Sequence, residues 1–144
     1  MNDHPEDSAW IRWDQVLRSI LQHINRNDLK AGLTEVDSFL SSETIPEVRS
    51  SALGMKADIQ SDLGDLEAAR ESLLVARGLL GPSFGKYVHE LSLAETYRKE
   101  KRLTEAVAWY RNALQTCVDA KISAGGALKK FLDLQDIRHL REED

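Results

Sequence analysis

Apolar and small residues recur along this chain at a fixed step of 37. Leu29, Leu66 and Leu103 stand 37 apart, as do Gly32, Ala69 and Ala106, and Val36, Leu73 and Tyr110. Ile20, Ala57 and Ala94 keep the same step; in Leu40, Arg77 and Leu114 only the middle member leaves the apolar class. A period between about 20 and 50 residues marks stacked supersecondary units, each with an apolar face that only its neighbour can bury. A small residue followed four positions later by a large apolar one calls for helices that cross closely. Such a chain is expected to present a surface to another protein.

Three- and four-residue spacing then predicts the helices. Residues 1–7 are polar, contain Pro5, and are expected to be flexible, with Asp7 or Ser8 capping the first helix. That helix carries Trp10, Trp13, Val16, Leu17, Ile20, Leu21 and Ile24, and the second Leu29, Leu33, Val36, Phe39 and Leu40. Pro46 suits the first turn of a third helix over 46–62. A fourth spans about 66–80, closed by Gly81-Pro82 with the glycine as a left-handed cap. A fifth covers about 84–100, a sixth 103–119, and a seventh about 123–141. Three antiparallel pairs result, near 10–46, 47–83 and 84–120, with a terminal helix, in a single domain over 8–144.

The pattern resembles the tetratricopeptide repeat family. In the third pair Ala94, Tyr97, Ala106, Tyr110, Ala113 and Leu114 carry the likeness, and in the middle pair Ala57, Gly64, Ala69, Leu73 and Ala76. The first pair is degenerate, with Ile20, Gly32, Val36 and a bulky Phe39 where a small residue is usual. The resemblance implies an all-α, right-handed solenoid of three helix pairs with a C-terminal capping helix, seven helices in all.

Little in the chain points to chemistry. The histidines at 4, 23, 89 and 139 have no second ligand at metal spacing, and Cys117 has no basic neighbour to activate it. No enzyme activity, cofactor or metal is expected. A net charge of −5 argues against nucleic acid, whose phosphates need a basic face. The one dense basic run, Arg98 to Arg102, reads as a charged turn at a helix C-terminus. No apolar run reaches the ~20 residues of a membrane span. A single cysteine and an acidic N-terminus without a signal-peptide pattern fit a cytoplasmic protein.

The resemblance also implies a concave groove lined by the first helix of each pair. The residues expected there are Leu17, Leu21 and Ile24, then Gly54, Asp58 and Asp62, then Leu91, Glu95 and Arg98. Family members that clamp chaperone tails use Lys, Asn and Arg in the groove; here those places hold Leu17, Leu21, Met55, Val88 and His89. The expected function is therefore an adaptor that binds a peptide or helical segment of a partner protein. Two alternatives stand beside it. One is a self-associating module, a homodimer through a second interface of Leu134, Ile137 and Leu140 on the terminal helix. The other is an immunity protein or secretion chaperone, in which an acidic chain covers a basic partner.

Overall fold

The computed structural model describes residues 4–123, 128–131, 133 and 134. Six helices follow one another: α1 (Pro5–Asn25), α2 (Leu29–Ser42), α3 (Pro46–Asp62), α4 (Leu66–Gly78), α5 (Phe84–Lys99) and α6 (Leu103–Ala120). Residues 128–131, 133 and 134 are also helical; the other residues of the expected seventh helix that lie in 124–127, 132 and 135–141 fall outside the described residues. The described helices gather into two compact units, residues 1–79 with α1 to α4, and residues 80–144 with α5 and α6.

The first helix begins earlier than its apolar pattern predicts. Pro5 occupies the first turn, where its missing N–H leaves no bond unmade, and Glu6 and Asp7 meet the positive end of the helix dipole. Pro5, Glu6 and Asp7 are thus helical rather than part of a flexible segment, and neither Asp7 nor Ser8 is the cap. The expected left-handed cap at Gly81 is also absent: α4 closes on Leu79 in right-handed geometry, and Gly64 is the described glycine with positive φ.

The turns inside the pairs repeat more faithfully than the side chains do. Asn27, Gly64 and Lys101, 37 apart, all have positive φ, at 61°, 87° and 59°. Each is followed by an N–H that reaches back five residues: Asp28 to His23 O at 2.8 Å, Asp65 to Gln60 O at 2.9 Å, Arg102 to Tyr97 O at 3.0 Å. This is a Schellman closure, which satisfies helix-end carbonyls that would otherwise be unpaired. Asp28 and Asp65 then cap the next helix, accepting from Ala31 N and Ala68 N at 3.1 Å each. Arg102 holds the third cap position and makes no such bond.

In the first unit α2 runs back along α1. Gly32 is the contact point: a Cβ added there would meet Ile59 Cδ1 at 3.4 Å and Ile20 Cγ2 at 3.6 Å. Three helices thus cross at one glycine, and Ile20 of α1 and Ile59 of α3 stand at the same level. Trp13 packs on Phe39 with ring centroids 5.1 Å apart, and Lys56 Nζ pairs with Asp37 at 2.7 Å. These pairings make both successive helix contacts antiparallel, so α1 and α3 run in the same direction. Ile20, Val36, Leu40, Val48, Ala52, Leu53, Ile59 and Ala76 form the core, each large member worth about 1.5–3 kcal/mol of burial. Ser50, where the other pairs carry Trp13 and Tyr87, donates its hydroxyl to the Ala76 carbonyl at 2.8 Å and is fully buried.

The corner between α2 and α3 is closed by Glu43, a buried carboxylate that the apolar pattern does not reveal. It accepts from the N–H groups of Thr44 at 3.2 Å and Ile45 at 3.1 Å, and from Arg12 at 3.2 Å. Arg49 in turn donates to the carbonyls of Leu40 at 2.8 Å and Glu43 at 2.7 Å.

In the second unit α5 packs on α6. Ala94, Ala106, Val107 and Tyr110 form one cluster with Leu134, edged by Leu91, Trp109 and Phe131. Tyr87, Ala113 and Cys117 form another. Between core positions lies Glu90, fully buried and bonded by the Thr116 hydroxyl, at the repeat place where the middle pair has Leu53.

Candidate functional site

The residues of interest occupy matching repeat positions on the first helix of each pair. On α1 these are Trp10, Asp14, Leu17, Leu21 and Ile24, at the three- and four-residue steps of one helix stripe. On α3 the same repeat positions are Glu47, Ser51, Gly54, Asp58 and Ser61, and on α5 Phe84, Val88, Leu91, Glu95 and Arg98.

Within the first unit, Leu21 is 43 % exposed, while Leu17 and Ile24 are half-buried and pack against the core. Leu21 follows Ile20 on α1 and Asp58 precedes Ile59 on α3, and both isoleucines sit at the level of Gly32. Apolar Leu21 and acidic Asp58 therefore flank one stretch of the parallel α1–α3 face. Gly54 is half-buried, and Asp58 and Asp62 are exposed. Six of the expected groove residues are thus gathered on two neighbouring helices. Trp10, 41 % exposed, joins the α1 stripe. The sequence pattern counts it among the apolar residues of the first helix; its counterpart two repeats on, Phe84, is 67 % exposed, and the 74-residue separation links them.

In the second unit the expected residues are engaged with their own surroundings. Leu91 is half-buried against both clusters. Glu95 receives the Tyr110 hydroxyl, Lys130 Nζ at 2.9 Å and Arg98 Nη1 at 3.3 Å. Burial pushes the Glu95 carboxyl up, but the hydrogen bonds from Tyr110 and Lys130 and the charges of Lys130 and Arg98 outweigh it and hold the group below its ordinary value. The Tyr110 phenol is pushed up, first by burial and then by the carboxylate it donates to. Arg98 is exposed and lines a cavity of about 90 Å³ with Lys130, Asp133 and Leu134, far below the ~300–1,000 Å³ of small-molecule sites.

The expected second interface needs correction. Leu134 is 5 % exposed, buried on Ala94, Ala106, Val107 and Tyr110, so it is core and offers nothing to a second copy. Phe131 and Leu134 lie about 60° apart on a helix at 100° per residue; turning that shared side inward buries an aromatic ring and leaves Leu128 exposed. Arg111 stacks over the Phe131 ring at 5.8 Å. Ile137 and Leu140 lie outside the described residues.

Among the described residues no group of three or more His, Cys, Asp or Glu is placed to hold a metal ion. No described helix is long and apolar enough to cross a membrane. Cys117 is buried, and its thiol is pushed up, first by burial and then by the nearby Glu90.

No curated protein matches this sequence. A family model does: that of the tetratricopeptide repeat matches residues 50–74, across α3 and α4, and 91–116, across α5 and α6. Both matches hold one of the left-handed turns and one of the crossing alanines described above. Repeats of this kind generally mediate protein–protein interaction and are typically not catalytic. Two tetratricopeptide repeats are thus matched, over residues 50–74 and 91–116, in a chain whose left-handed turns keep a 37-residue step, which supports the tetratricopeptide repeat resemblance.

Proposed function

We propose that the protein is an adaptor that binds a peptide or helical segment of a partner protein on the outward face of its first helices. Leu17, Leu21, Ile24, Gly54, Asp58 and Asp62 of the first unit supply the principal surface. Leu91, Glu95 and Arg98 supply a lesser one in the second unit, because Glu95 already holds three intramolecular donors. The observation that carries the reading is Leu21: a large apolar side chain 43 % exposed on a helix stripe, one residue from fully buried Ile20. A segment that covers it gains apolar burial.

Leu17 packs on the core, so Leu21 is the position to mutate. Leu21→Asp is expected to abolish capture of protein partners from native cell extract while helical circular dichroism and melting temperature stay at wild-type values. Partners retained by a folded Leu21→Asp protein would defeat the proposal.

A further inference from the structure

We infer that two copies of this chain associate through α1, antiparallel and about a two-fold axis, with Ile11 against Leu21 and Asp14 against Arg18 of the second copy. This goes beyond the adaptor reading and does not rest on it.

Asp7, Ile11, Asp14, Arg18, Leu21 and Asn25 of α1 are all exposed. They follow one another at alternating steps of four and three, and at 100° per residue they fall within about 80° of one another. That is the seam of a coiled coil, where the side chains of one helix enter the holes of the facing one. The stripe runs nearly the whole length of α1 (Pro5–Asn25). Its apolar members lack cover, Ile11 being 61 % exposed and Leu21 43 %. On α3, which packs on α2, the repeat place of Ile11 holds Val48, fully buried in the core.

Read backwards, the stripe is its own complement. Turning one copy end over end about the level of Val16 sets Ile11 opposite Leu21, Asp14 opposite Arg18 and Asp7 opposite Asn25, each contact made twice. A two-fold interface requires this, because residue i meets j and j meets i. A parallel pair would set Asp14 on Asp14 and Arg18 on Arg18, so charge fixes the direction.

Within one chain Arg18 Nε donates to Asp14 Oδ2 at 3.0 Å. The other carboxylate oxygen and the two Nη groups take no partner among the described residues. In the antiparallel pair, two such ion pairs close into a ring of four charges alternating in sign. An isolated exposed pair contributes little, whereas several charges in a network contribute more. A uniformly basic or acidic foreign helix satisfies one of the two charges and is repelled by the other; a second copy satisfies both. Leu21 also belongs to the face proposed for the ligand, so a second copy and a ligand exclude each other there, while Ile11 lies off that face.

Sedimentation equilibrium of the full chain over a concentration series tests this. The wild type is expected to pass from monomer to dimer mass as concentration rises. Asp14→Arg alone and Arg18→Asp alone should each weaken the dimer by at least about tenfold, since each sets like charges opposite one another. An equimolar mixture of these two variants should recover a dimer within about threefold of the wild-type strength, because their charges complement each other across the axis. Ile11→Asp should also weaken the dimer by at least about tenfold, with circular dichroism confirming that every variant is folded. A wild type that stays monomeric, a dimer indifferent to Ile11→Asp or to either charge reversal, or a mixture of the two reversed variants that does not associate overturns the inference. Each of those results leaves the adaptor reading standing, since that reading fails on partners retained by Leu21→Asp.

Discussion

The middle and third helix pairs share a frame and differ at the rim. Ala57 and Ala94, Ala69 and Ala106, and Leu73 and Tyr110 occupy matching places and are all buried. Gly64 and Lys101 adopt the same left-handed turn. Yet α3 ends in aspartates that look outward, whereas α5 ends in Arg98 and Lys99 beside a Glu95 tied to its own unit. Positions that set helix approach are held by volume, whereas the stripe positions differ in chemistry between the pairs, with Glu47, Gly54 and Asp58 in one where Phe84, Leu91 and Glu95 stand in the other. In a repeat protein the second kind are where partner choice is written.

The largest effects should fall on the frame and be felt in both pairs. Leu73→Ala is expected to cost about 2–5 kcal/mol, and Tyr110→Ala about 3–5 kcal/mol, read from denaturant melts. A loss below 1 kcal/mol at either place would break the equivalence. Ala69→Leu and Ala106→Leu should each cost about 1–3 kcal/mol by overpacking a close crossing, and an unchanged melting temperature for both would mean the crossing is not tight.

Next comes acid sensitivity, expected in the third pair. The folded Glu95 carboxyl lies below its unfolded value, so its contribution is present above the ordinary carboxylate range, near pH 4.5. That contribution is lost as pH falls through the depressed value. Glu95→Gln should therefore lower stability at neutral pH and flatten its decline in acid. A variant with the wild-type pH profile would remove the ion cluster from the account.

The turns offer a smaller, reciprocal test. Lys101→Gly should stabilise by about 1 kcal/mol, because a side chain in the left-handed region is strained, and Gly64→Lys should cost a similar amount. Smallest is the rim itself: Asp62→Lys, which copies Lys99, should add about 0.3–1 kcal/mol through the helix dipole. If the same melts showed a loss, the charge contrast between the pairs would have been misread.

The frame was readable in the sequence because helix crossings punish volume errors at fixed intervals, and a 37-residue step records them. Helix starts at Pro46, Leu66 and Leu103 were readable for a related reason, since caps and turn residues act locally. Pro5 was missed because its helix starts before any apolar residue. Glu43 and Glu90 were missed because a buried carboxylate is justified only by the donors around it, which pattern does not show. Leu134 was turned the wrong way because a helix with apolar residues on most sides does not say which side its neighbours claim.

Glu43 has a consequence in time. Its carboxylate holds the amides that open α3, and Arg49 holds the carbonyls that close α2, while Arg12 anchors the carboxylate to α1. Neither helix end can fray without releasing the other. The amide protons of Thr44, Ile45 and Glu43 should then exchange with solvent at a common rate set by a single shared opening, and the corner should behave as one latch rather than two loose ends.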